Sequence, residues 1–141
     1  MQDVTEKLGY RLKRAASALR TAMDDTLRAH DLTVPQYSTL ELLDQQPGLS
    51  NAELARGTFV TRQSMNVVLR GLQEHGLVHR PAVSDHGRAL PTHLTDEGLR
   101  RLALARDAVY AIDDRLTRSV PEERRAALLA DLDAMVAELG R

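Results

Sequence analysis

In the stretch TRQSMNVVLRGLQEHGLVHR, Thr61 to Arg80, the side chains with useful chemistry are two amides and a guanidinium: Gln63, Asn66 and Arg70. At 100° per helical residue, Gln63, Val67 and Arg70 fall on one side, with Ser64 and Asn66 on its flanks. Met65, Val68, Leu69 and Leu72 gather on the other side and form a core face. Gln and Asn can pair with adenine, Arg with guanine, and Val can touch a thymine methyl. This is the chemistry of reading base pairs. An ordinary solvated face is the competing explanation for such a strip, and the neighbouring elements decide between the two.

A strip of this kind needs a scaffold, and the sequence predicts one. A long first helix over about Val4 to His30 carries an apolar stripe of Leu8, Leu12, Ala15, Leu19, Met23 and Leu27. Thr33 and Gln36 make a capping box for a second helix ending near Gln46, with Leu32 and Tyr37 as a hydrophobic staple. Ser50 and Glu53 repeat the box for a short third helix, about Asn51 to Arg56, and GTFV follows as a turn. Thr61 caps the fourth helix, which ends at His75, and Gly76 suits the left-handed position beyond it.

LVHRPAV and ALPTHLT then read as a two-stranded ribbon around the turn SDHGRA, with Pro81 and Pro91 confining both strands to edges. Thr95 caps a fifth helix running to about Arg118. Ser119 and Glu122 suggest a third capping box for a sixth helix, about Val120 to Leu139. The expected fold is mainly α with a small β-wing: a winged helix-turn-helix of six helices. Residues 31–95 form the DNA-binding lobe, and residues 1–30 with 96–141 form a helical dimerisation region. The apolar arc of the last helix and the stripe of the first exceed what one copy with three Tyr and one Phe can cover, which argues for a homodimer.

Composition limits the partners. The 141 residues carry a net charge of −1, so no global basic field exists. The charge is uneven, with balances of −1 over residues 1–49, +2 over 50–94 and −2 over 95–141. An anionic partner is least repelled in the middle. There is no Cys, which excludes disulfides, thiolate metal sites and thiol redox sensing. The first residues lack a signal-peptide core, and no apolar run approaches the roughly 20 residues of a membrane span. A cytoplasmic chain with no membrane partner is expected.

The stretch from LTVPQY to GLRRL, about residues 30–102, resembles the central body of the multiple-antibiotic-resistance regulator (MarR) family. The most specific parts are the run from Leu54 and Ala55 to Val67, the EHGLV exit, and the wing closing on HLTDEG. The flanking helices extend the likeness to nearly the whole chain. The resemblance implies a dimeric transcription factor with winged helix-turn-helix lobes, commonly a repressor released by a small anionic or phenolic effector. It places Gln63, Ser64, Asn66, Val67 and Arg70 where the recognition helix meets bases and phosphates, and Arg88 at the wing arginine. The family's wing often reads Asp-Arg-Arg, whereas this chain has His86, Gly87 and Arg88, with Asp85 one place earlier.

The candidate DNA-binding set is thus Ser50, Thr61, Arg62, Gln63, Ser64, Asn66, Val67, Arg70, His86 and Arg88. Ser50, Arg62 and Arg88 would mainly position the protein on phosphate. An effector pocket is expected where the first, second and fifth helices meet, with Arg14, His30, Tyr37 and Tyr110 as polar liners. Tyr37 also serves as a staple, and His30 as a favourable charge near a helix end.

His75 and His79 have a zinc-ligand spacing, but Gly76 ends the helix between them, so no metal or cofactor is expected. No phosphate loop or nucleophile motif is present, and Asp113 and Asp114 point about 100° apart, so an enzyme is not expected. The alternative is a winged-helix module that binds protein without sequence-specific DNA binding. Charge reversal on the outward face would favour it, and none occurs before Glu74.

Overall fold

The computed structural model describes residues 3–81 and 91–140. Asp3 caps a single 3₁₀ turn at Val4–Glu6, its carboxylate accepting from the Thr5 N–H at 2.9 Å. Lys7 is extended, so the first long helix, α1 (Leu8–Arg28), begins four residues later than periodicity predicts. The chain divides into two compact units, Met1–Val109 and Tyr110–Arg141.

In the first unit, α2 (Val34–Gln45) starts on the predicted capping box. The Thr33 hydroxyl accepts from the Gln36 N–H at 3.2 Å, and the Gln36 side chain accepts from the Thr33 N–H at 2.9 Å. Its staple residues, Leu32 and Tyr37, are both buried in the core. The next helix, α3 (Asn51–Thr58), repeats the box through Ser50 and Glu53 at 3.2 and 3.1 Å. It runs two residues past the expected end. Gly57 is helical there, and a Cβ on it would stand 2.6 Å from Leu42 Cδ1, so its small size suits the close approach of α3 to α2. Thr61 then caps α4 (Arg62–Glu74), accepting from the Ser64 N–H at 3.0 Å.

Three helices end alike. In each, a residue one to three positions beyond the helix takes a positive φ, and its successor donates back to the last turn. After α4 the residue is Gly76 at φ 72°, with Leu77 N–H to the Leu72 carbonyl at 2.9 Å. After α1 it is Asp31 at φ 55°, with Leu32 to Leu27 at 3.1 Å. After α3 it is Phe59 at φ 62°, with Val60 to Ala55 at 3.0 Å. Gly76 matches the predicted left-handed exit. Phe59 is the outlier, since a bulky side chain is strained in that region.

The core lies where these helices meet. Leu27, Leu40, Leu43, Leu54, Met65, Leu69 and Leu72 are buried in one cluster with Leu77, Leu102 and Ala105. Each fully buried leucine contributes roughly 1.5–3 kcal/mol against solvent exposure. The predicted inward face of α4 is therefore the observed one, although Val68 is only partly buried at its edge.

The base of the wing is an antiparallel pair, β1 (Val78–His79) and β2 (His93–Leu94), with Val78 opposite Leu94 and His79 opposite His93. The described part of the ribbon is shorter than the sequence suggests, and the turn with His86, Gly87 and Arg88 lies outside the described residues. A further connection was not foreseen. Leu49 bridges Thr92, with the Thr92 N–H donating to the Leu49 carbonyl at 3.1 Å and the Gly48 N–H to the Thr92 carbonyl at 3.0 Å. The wing base is thereby tied to the loop that leads into α3.

Thr95 opens α5 (Asp96–Arg118), accepting from the Gly98 N–H at 3.0 Å. The second unit comprises the end of α5 and α6 (Glu122–Leu139). Here the expected third capping box is absent. The Ser119 hydroxyl donates back to the Leu116 carbonyl at 2.6 Å, and Pro121, with no side-chain acceptor, stands at the cap. No residue of α6 is buried. Leu129, Val136 and Leu139 are exposed on it, as Leu8 and Leu12 are on α1.

Candidate nucleic-acid interface

The α3 helix, the turn Phe59–Thr61 and α4 form a helix-turn-helix, packed on α2. Burial of Met65, Leu69 and Leu72 fixes the rotation of α4 about its axis. That rotation leaves Gln63, Ser64, Asn66, Val67 and Arg70 exposed, Val67 at 64%. Arg62 and Thr61 are also exposed, at the start of the helix. With 13 residues, α4 is about 20 Å long, and a major groove about 12 Å wide accommodates a helix.

Several of these polar groups are already engaged. Thr61 donates its hydroxyl to Ser64 Oγ at 3.0 Å while capping the same residue's N–H. Ser50 is committed to the Glu53 N–H. The Ser50 backbone N–H and then its side chain hold the Glu53 carboxyl below its ordinary range, so this first-turn charge persists. The Asn66 carbonyl oxygen accepts from the side-chain amide of Asn51, the first residue of α3. Positions His86 and Arg88 lie outside the described residues.

A MarR family profile matches residues 30–89. The HTH-type transcriptional repressor Rv2887 of Mycobacterium tuberculosis is 43% identical over 119 residues, covering 83% of this chain and 86% of that protein. The chain belongs to the MarR family. Among solved structures, this MarR chain is similar to Rv2887 in complex with DNA, with TM-score 0.74 and 36% identity over 92% of this chain and 97% of that one. It is also similar to the repressor CouR bound to a 23-mer DNA duplex, with TM-score 0.85 and 33% identity over 96% of each. Rv2887 is further known with salicylic acid (TM-score 0.72, 39% identity, 92% and 96% covered). CouR is further known with p-coumaroyl-CoA (TM-score 0.84, 34% identity, 99% and 98% covered).

The four effector candidates occupy different surroundings in this MarR fold. Arg14 is exposed on α1, and Tyr37 is buried within the core cluster. His30 is half-buried just past α1, and its carbonyl accepts from Arg101 Nη1 at 3.3 Å. Tyr110 is exposed in the second unit. A shallow concavity of about 330 Å³ lies within that unit, lined by Ser119, Val120, Pro121, Arg124, Ala127, Leu128 and Asp131, so none of the four candidates borders it.

Sequence reasoning missed two polar constellations. The first is the Asn51–Asn66 pair, whose members are 15 residues apart and whose contact no local motif encodes. The second joins α5 to α2. Arg106 donates through Nε to Glu41 at 2.9 Å and through Nη2 to Asp44 at 2.7 Å. The two carboxylates raise the Arg106 pKa further, so the guanidinium stays charged. The i, i+3 spacing of Glu41 and Asp44 on one face of α2 was the available signal.

Proposed function

We propose that this chain is a sequence-specific DNA-binding transcriptional repressor that acts as a homodimer on a pseudo-palindromic operator. One observation carries the reading. On α4, an outward strip of Gln63, Asn66, Val67 and Arg70 stands opposite a fully buried stripe, within a helix-turn-helix. The DNA complexes of Rv2887 and CouR support it. Two copies of α4 would enter successive major grooves, about 34–36 Å apart. Gln63, Asn66 and Arg70 would specify sequence. Ser50, Thr61, Arg62 and Ser64 at the helix entrances, with His86 and Arg88 on the wing, would hold the backbone.

Residues 31–95 form the DNA-binding lobe in this reading. Residues 1–30 and 96–141 form the dimer contact. The exposed leucines of α1 and α6 support a second copy as their cover, because no residue of α6 is fully buried within its own chain. The described residues contain no helix long and apolar enough to cross a membrane, and the site of action in this reading is the cytoplasm. The protein works by binding, without catalysis.

A small anionic or phenolic effector would release the DNA by preferring a dimer whose recognition helices are wrongly spaced. The salicylic acid and p-coumaroyl-CoA complexes of the two relatives support this chemistry. Arg14, His30, Tyr37 and Tyr110 remain the candidate contacts.

The test is selection of bound duplexes from random DNA at fixed salt, repeated with salicylate and with p-coumaroyl-CoA. A palindromic consensus whose recovery falls with either ligand is the expected result. Failure to enrich any sequence would overturn the reading in favour of a protein-binding winged helix.

A further inference from the structure

Asn66 is exposed on the outward strip of α4, and its side chain is held by a hydrogen bond. Asn51 donates its side-chain amide N–H to Asn66 Oδ1 across the helix-turn-helix. The other end of the pair sits at a capped helix start. Asn51 is the first residue of α3, directly after the Ser50 cap, and is half-buried. An asparagine amide has two faces, a carbonyl that accepts and an amino group that donates twice. A partner that holds the carbonyl aims the amino group away from itself.

We propose that Asn51 is a positioning residue for sequence readout, turning the Asn66 amino group outward so that Asn66 meets the major groove as a hydrogen-bond donor. The inference rests on the DNA-binding reading above and deepens it. A donor seeks acceptors, which the major groove offers at purine N7, guanine O6 and thymine O4. A freely rotating asparagine would also present its carbonyl to the amino groups of adenine and cytosine. Fixing the amide therefore supplies both selectivity and pre-ordering, because less rotamer freedom is lost on binding.

The pair has a chemical inverse. An aspartate at position 51 only accepts. Asn51→Asp would draw the Asn66 amino group inward and leave its carbonyl facing DNA. An acid at the first position of α3 suits the helix dipole, so the fold should tolerate it. Asn51→Ala would release Asn66 without inverting it.

The experiment is selection from random duplex DNA with the wild-type chain and with Asn66→Ala, Asn51→Ala and Asn51→Asp, at one salt concentration, with thermal melting of each protein. Asn66→Ala identifies the base pair that Asn66 reads. At that pair alone, Asn51→Ala should reduce discrimination at least about fivefold, the lower end of the range of one good base contact. Asn51→Asp should move the preference from an acceptor-bearing base toward one that bears an amino group.

An Asn51→Ala consensus unchanged at that pair would overturn the proposal. So would a loss spread evenly over all positions, which marks a phosphate contact or a merely structural tie. If Asn51→Ala melts too low to assay, the Asn51→Asp consensus decides alone. A wild-type selection with no consensus would instead bring down the DNA-binding reading and this inference with it.

Discussion

The Thr95 hydroxyl donates to the Gly76 carbonyl at 2.6 Å, joining the exit of α4 to the start of α5. The same oxygen accepts from the Gly98 N–H at 3.0 Å, so one side chain serves two helix ends. The junction is close enough that a Cβ at Gly98 would stand 2.0 Å from the Leu77 carbonyl oxygen. Gly98→Ala should therefore destabilise by at least about 2 kcal/mol, in the upper part of the over-packing range. Denaturant melts check it, and a neutral result would mean the two backbones separate easily.

Phe59 is 94% exposed and sits at a left-handed backbone position. Little burial is lost on removing its ring, while glycine relieves the strain. Phe59→Gly should stabilise the fold by about 1 kcal/mol. A lower melting temperature would show that the ring contributes more than its exposure implies.

Arg70→Ala tests base reading. Loss of a bidentate contact should weaken operator binding by about 1–3 kcal/mol while leaving the melting temperature near that of the wild type. The companion variant Arg88→Ala should weaken binding to all sequences alike and flatten the salt dependence by about one unit of slope. Gel shifts over a salt series with the selected operator measure both. Undiminished binding by both variants would refute their roles.

Arg106 grips Glu41 and Asp44 with all three side chains partly shielded. Arg106→Ala should cost about 1–2 kcal/mol, between the values of exposed and buried pairs. Arg106→Lys should recover only part of the loss, because an ammonium lacks the planar fork that reaches both acceptors. Equal stability of the Lys variant and the wild type would reduce the fork to a simple charge pair.

Acid titration reports on the second capping box. The Glu53 carboxyl is held below its ordinary value by the Ser50 backbone N–H and then by the Ser50 side chain. Its contribution is complete above the unfolded value of about 4.3 and disappears as pH falls through the lower folded value. The stability difference between wild type and Glu53→Gln should shrink as pH drops below about 4.3. A difference that stays constant with pH would mean the charge is irrelevant to the cap.

Local signals were the legible part of this fold. Thr33 and Gln36, Ser50 and Glu53, and Gly76 each announced a helix boundary within a few residues, and each forms as read. The inward face of α4 was legible from spacing alone. Features that depend on distant partners were not. Gly57 looked like a turn because its closeness to Leu42 is tertiary. Ser119 looked like a cap because nothing nearby revealed that its hydroxyl would close α5. The Leu49–Thr92 bridge joins residues 43 positions apart through a single pair, too small to leave a pattern. At the candidate site, side-chain types and outward placement were readable, while the Asn51–Asn66 coupling was not.

That bridge has a consequence for how such a regulator could be switched. It staples the root of the wing to the segment that launches α3, so in the proposed dimer each lobe would approach DNA as a ruler with fixed graduations. An inducer of the proposed kind would then have little to rewrite inside a half-site. What it could alter is the gap between the two rulers of that dimer, and its effect should track operator spacing far more than half-site letters.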